Sequence, residues 1–182
     1  MAEYTYLKES DETDSGFDEE VIETVRDIVF DVRERGDDAV AELTQKFDDV
    51  DRDRLHVSDE EIAAAASKLD AAEKQAIDYT IENVWEFHTE QSKNLTAFET
   101  EFKPGVSLGQ RVLPIERAGV YIPGGRHPLV ATPAMTIVPA VVAGVDHIVA
   151  CAPPQADGTV TPAQLYAMDE AGADEIYCVG GA

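Results

Sequence analysis

The sequence predicts an α/β fold in which an N-terminal helical segment precedes an incomplete βαβαβ parallel sheet. Three observations carry this expectation. Through residue 96 the apolar side chains recur at helical spacing. After Pro114, short β-rich runs alternate with longer helical ones, as in a parallel sheet with right-handed crossovers. Between the two lies a stretch of period-two alternation with a Pro-Gly turn. The division that follows is a loose acidic arm over 1–16, a helical segment over 17–96, a β-hairpin connection over 97–113, and a Rossmann-like domain over 114–182 that stops short of completion.

In the helical segment, Ile22, Val25, Val29 and Val32 form one amphipathic face over 18–35. Gly36 ends that helix and Asp37 is placed to cap the next, whose Val40, Leu43 and Phe47 continue the stripe. Residues 48–54 read as a charged, solvated connection. Ser58-Asp-Glu-Glu61 and Asp70-Ala-Ala-Glu73 are capping boxes, so two helices meet near Leu69. In the second of these, Ile77, Ile81, Val84 and His88 share a face. His88 reads as a packed helix residue, and Trp85 as packing or a subunit contact. Phe98, Thr100 and Phe102 then alternate before Pro104-Gly105, and Val106 to Leu113 resumes extended structure, a hairpin expected to pack the helical half onto the second half.

The βαβαβ region is expected as strand 118–122, helix 133–142, strand 146–151, helix 162–172 and strand 174–179, with Thr161-Pro162 as N-cap and first helical residue. The first strand runs into Pro123-Gly-Gly125, and α/β proteins place ligands where a strand meets such a turn before a helix. Gly124 and Gly125 admit φ > 0 and close backbone approach, and their N–H groups suit an anion such as a pyrophosphate. From the residues alone, a tight βα turn without a ligand is an equal reading. The last strand ends in Gly180-Gly181-Ala182 with no helix after it. Parallel sheets are covered on both faces, so an uncovered last strand reads as the N-terminal part of a longer protein. A short natural paralogue is the alternative.

Composition narrows the function classes. The formal net charge is −23, from 37 acidic and 14 basic residues. Residues 1–102 hold 30 of the acids against 10 bases, whereas 103–182 hold 7 against 4. That field repels nucleic acid and anionic membranes, and the acid coat with few lysines suggests a halophilic protein. Cys151 and Cys178 form no C-x-x-C pair and read as reduced structural residues. With no signal peptide and no apolar run of membrane-spanning length, the chain is expected to be cytoplasmic. The histidines, His56, His88, His127 and His147, are isolated, so neither a metal ligand nor a catalytic residue is assigned within the chain.

Gly119-Val-Tyr-Ile-Pro-Gly-Gly125, with Met135, Pro139 and Ala143-Gly144-Val145, resembles the histidinol dehydrogenase family. Val149-Ala-Cys-Ala-Pro-Pro154, the run from Ala171 to Ala182, Val32-Arg-Glu-Arg-Gly-Asp-Asp38 and Lys46-Phe-Asp48 extend the likeness over nearly the whole chain. The resemblance implies a zinc- and NAD-dependent enzyme that oxidises an alcohol to an acid in two steps and is a homodimer when full length. It assigns Tyr121 to NAD and sets Pro123, Gly124 and Gly125 beside the dinucleotide. From sequence pattern alone, Tyr121 reads first as a strand residue with its hydroxyl at the surface, and it is the resemblance that reverses this. The family's catalytic histidine and glutamate, and its Gln, His and Asp zinc ligands, are expected beyond residue 182, so this segment alone is expected to be inactive.

One departure bears on substrate. Histidine-forming members carry small residues and a Tyr-Pro-Ser run after the glycines, where this chain reads Arg126-His-Pro-Leu-Val-Ala-Thr-Pro133. That variant resembles members that oxidise other diols, including sulfonated ones. Arg126 suits an anionic substrate or a cofactor phosphate, and equally a solvated loop. A reading from another class is a non-catalytic acidic α/β module that binds a nucleotide or a partner protein.

Overall fold

The computed structural model describes residues 18–52, 54–124 and 128–180. By Cα proximity the chain forms two units, Met1–Ala39 and Val40–Ala182. The first helix, α1 (Glu19–Arg35), has textually simple ends: the Asp18 carboxylate accepts the Glu20 N–H at 2.9 Å, and Gly36 at φ 60° closes the last turn onto the Val32 carbonyl. Acids in its first turn and arginines in its last complement the helix dipole. Its predicted apolar face exists, but Ile22, Val25 and Val29 are exposed. The second helix, α2 (Asp37–Asp48), begins at Asp37 itself, which is therefore a first-turn acid and not a residue preceding the helix. The expected stripe is also shifted: Leu43 and Thr44 are buried while Phe47 faces out.

Both capping boxes form. Ser58 and Glu61 bracket the start of α3 (Asp59–Ser67), with the Glu61 carboxylate accepting the Ser58 N–H at 2.9 Å. Asp70 and Glu73 do the same for α4 (Ala71–Ser92). The connection before α3 is not merely solvated. Arg52 donates to the Gly158 carbonyl at 2.8 Å and to Glu61 at 2.5 Å, tying this loop to the one that precedes the last helix.

The hairpin is β1 (Phe98–Lys103) against β2 (Val106–Gln110), turned by Gly105 at φ 78°. Every residue of both strands is exposed, so it does not pack one half of the chain onto the other. Two isolated strands bury too little apolar surface to act as such a bridge.

The remainder is β3 (Arg117–Tyr121), α5 (Thr132–Val142), β4 (His147–Ala152), α6 (Pro162–Glu170) and β5 (Glu175–Cys178), with the strands parallel in the order β3-β4-β5. Tyr121, Cys151 and Tyr177 stand in register across the sheet. Ile148, Ala150, Ala152, Ile176 and Cys178 point into a core shared with Ile137 and Val138 of α5, Leu165 and Met168 of α6, and Ile77 and Ile81 of α4. The alternate residues line a second face that is exposed or half-buried. The outer edge of β5, expected to be open, is not. Residues 55–57 run antiparallel beside it: Cys178 N–H donates to the Leu55 carbonyl and Val57 N–H to the Ile176 carbonyl, each at 2.8 Å. Thr161 precedes α6 as expected but makes no capping bond, and its buried Oγ1 has no partner. No helix among the described residues is long and apolar enough to cross a membrane.

Candidate functional site

The turn after β3 is fixed from two sides. Ile122 is fully buried and its N–H donates to the Cys151 carbonyl at 2.8 Å, continuing the ladder one residue past the strand. The Pro123 carbonyl accepts from Gln164 Nε2 at 3.0 Å, and Gln164 is only 1% exposed, in the first turns of α6. A buried amide aimed at one loop carbonyl is costly to leave unpaired, so this bond positions the turn.

Gly124 is needed for a reason other than the one the sequence suggested. It does not take positive φ. A Cβ placed there would come within 2.5 Å of Pro153 Cγ. Its lack of a side chain lets the β3–α5 loop close against the β4–α6 loop. Gly125, Arg126 and His127 lie outside the described residues.

Tyr121 ends β3 on the less covered face of the sheet and is 45% exposed. Its phenol is pushed above the ordinary range, first by burial, with the Asp48 carboxylate adding to the shift, so it remains a neutral hydrogen-bonding group with an accessible ring face. The α5 helix that follows carries no acid in its first turn and no side-chain cap, so among the described residues neither offsets the positive end of its dipole. Asp48, the last residue of α2, lies at the other end of this edge against Gly180. A polar aromatic, close-packed glycines, an uncapped helix start and a carboxylate acceptor suit the parts of a dinucleotide: ring, pyrophosphate and ribose.

The cysteines have no nucleophilic arrangement. Burial raises the thiol of Cys151, and that of Cys178 to about 11, so both stay protonated at neutral pH. The three described histidines are dispersed. His56 stacks edge-on to Tyr177, His88 Nδ1 sits 2.9 Å from Gln91 Oε1, and His147 Nε2 lies 3.2 Å from Glu175. Among the described residues no three His, Cys, Asp or Glu side chains are grouped to hold a metal. A concavity of about 430 Å³ opens along α4 and is lined by Asp78, Ile81, Glu82, Trp85, Glu86 and Glu170. Its four carboxylates disfavour an anionic ligand, and Trp85, 41% exposed there, is not packed.

Sequence reasoning missed Gln164, Pro153 and Asp48 as parts of the turn and its surroundings. Gln164 is 41 positions from Pro123 and sits in an ordinary helical run, so no local pattern marks it.

The family model described as histidinol dehydrogenase matches residues 11–182. The histidinol dehydrogenase of Methanothermobacter thermautotrophicus is 46% identical over 164 residues, which is 90% of this chain and 38% of that protein. The sulfopropanediol 3-dehydrogenase of Ruegeria pomeroyi is 40% identical over 176 residues, covering 97% of this chain and 40% of the relative. The crystal structure of histidinol dehydrogenase from Elizabethkingia anophelis superposes with a TM-score of 0.83 at 34% identity, over 93% of this chain and 38% of that one. The chain therefore spans well under half the length of these relatives. Sequence match and backbone agree over the same stretch, and the chain belongs to the histidinol dehydrogenase family, to the N-terminal portion of which it corresponds.

Proposed function

We propose that this chain forms the N-terminal part of a zinc- and NAD-dependent alcohol dehydrogenase and contributes one half of its NAD site. NAD supplies the hydride acceptor. The residues of this chain bind and orient it: Tyr121 offers a ring face and hydroxyl, Pro123 and Gly124 the backbone of the turn, and Gly125 is the further glycine assigned to the dinucleotide. The zinc ligands and the acid–base groups belong to sequence beyond residue 182. The division into a helical segment (17–96), a hairpin connection (97–113) and the start of the NAD-binding domain (114–182) belongs to this reading, as do a homodimeric, cytoplasmic, halophilic full-length enzyme and a small-molecule alcohol as its substrate.

The observation that carries the reading is the turn after β3, held by the Gln164 bond at 3.0 Å and packed without a side chain at Gly124, in a chain of this family. In the complete protein, Tyr121→Ala is expected to raise the NAD dissociation constant roughly five- to tenfold, from the loss of about 1 kcal/mol of stacking or hydrogen bonding. Gly125→Val is expected to weaken binding further, and zinc content to stay at the parent level in both. Calorimetric NAD titration of the folded variants checks this; equal affinities in all three would reduce the turn to a structural one.

For substrate, an anionic alcohol is the favoured alternative to histidinol. Arg126 follows the glycines, and the relative named for sulfopropanediol matches 97% of the chain. Turnover of histidinol and of sulfopropanediol by the complete enzyme, beside an Arg126→Ala variant, separates the two.

A further inference from the structure

Asp48 is placed where a folded protein gains nothing from a carboxylate. It is the last residue of α2, where the carbonyl end of the helix dipole opposes negative charge, and Asp49 adds a second acid directly after it. It is half-buried, and burial pushes its carboxyl up from the ordinary range with no offsetting partner. Among the described residues no hydrogen bond or ion pair reaches it. The nearby loop arginine, Arg52, is committed to the Arg54 and Gly158 carbonyls and to Glu61.

Its position is nevertheless built around. A Cβ on Gly180 would lie 2.3 Å from Asp48 Oδ2 and 3.0 Å from Oδ1, so the carboxylate occupies its present seat against the carboxyl end of β5 only while that position carries no side chain. Gly180 does not take positive φ, and the Asp48 carboxylate is what a side chain there would displace. From that seat the charge of Asp48 acts on the Tyr121 phenol and on the Cys178 thiol, placing it at the same end of the sheet as the turn after β3. An ionised carboxylate only accepts hydrogen bonds, so what completes it must bring donors.

We propose that Asp48 is a specificity-determining residue of the nucleotide half-site, accepting hydrogen bonds from the vicinal hydroxyls of the adenosine ribose and rejecting a ribose that carries a phosphate there. The inference rests on the NAD reading above. It makes the cofactor choice a property of α2, outside the βαβαβ unit, and accounts for an acid that the fold tolerates without using.

The test uses the complete protein, titrated calorimetrically with NAD and with NADP, in the parent, Asp48→Asn and Asp48→Ala, with thermal unfolding recorded for each. Asp48→Ala is expected to weaken NAD by about tenfold and to leave NADP unchanged or tighter. Asp48→Asn keeps an acceptor of the same shape, so NAD should hold within about threefold while NADP tightens, and the preference falls at least about tenfold. The unfolding temperature of Asp48→Asn is expected to equal or exceed that of the parent, the opposite direction to its effect on cofactor preference. Folded variants with an unaltered NAD-to-NADP ratio, or with equal losses for both, overturn the proposal while leaving the half-site intact. A parent that binds neither dinucleotide overturns the half-site reading and this inference with it.

Discussion

At the scale of single residues, the turn after β3 depends on a side chain from another element. Gln164 is buried in α6 and gives its amide N–H to the Pro123 carbonyl. Gln164→Leu preserves apolar packing but removes the donor, and the carbonyl it served sits in a half-buried turn. The expected cost is about 1–2 kcal/mol of folding stability. Urea unfolding of parent and variant, with equal slopes, measures it; an unchanged midpoint would show that water replaces the amide freely. The glycines at this edge make the same point about local reading. A Cβ at Gly124 would run into the Pro153 ring, and one at Gly180 would displace the Asp48 carboxylate. Sequence shows that a glycine is present, but not which distant neighbour requires it.

At the scale of elements, the starts of α3 and α4 were legible because a capping box is a local device, complete within four residues. Tertiary structure gave one of them a second task. Glu61 closes the Ser58 box with one carboxylate oxygen and receives Arg52 with the other. Burial raises its pKa, but the Ser58 N–H and Arg52 outweigh that and hold the carboxyl below the ordinary glutamate value. A pKa lowered by folding means stability that is present in full above the unfolded-state value and lost as pH falls through the folded-state one. Glu61→Gln is therefore expected to cost about 1 kcal/mol near neutral pH, a figure reduced for the partial solvent exposure of the pair. The difference from the parent should close below the ordinary glutamate range. Thermal unfolding from pH 3 to pH 7 checks the sign; a gap that widens in acid would contradict it. The hairpin shows the converse. Its alternation and its Gly105 turn were legible, but a period-two pattern does not say whether a partner face exists, and here both faces are exposed.

For the whole molecule, charge is the governing quantity. Thirty-seven acids against fourteen bases leave the chain at −23, most of it before residue 103. With 14 bases to 37 acids most of the carboxylates have no cation to pair with, so folding concentrates like charge that the unfolded chain keeps apart. At 1 M salt the Debye length falls to about 3 Å, shorter than the spacing of most surface charges. The unfolding temperature of the chain is expected to rise from dilute buffer to molar KCl. Indifference to salt over that range would contradict the self-repulsion argument and the halophilic reading with it.

By itself, the sequence determined the order and type of nearly all elements, the parallel βαβαβ pattern, the position of the Pro-Gly-Gly turn and the family. Each of these is written in periodicity, capping residues or contiguous motifs, which act over a few positions. Only the tertiary structure decided that residues 55–57 close the edge of β5, that Arg52 ties two loops together, that Gln164 and Pro153 hold the turn, and that Asp48 sits against Gly180. Those contacts join residues far apart along the chain, and their energy comes from burial and exclusion in three dimensions. A pattern read along one dimension carries no term for a neighbour that arrives from elsewhere.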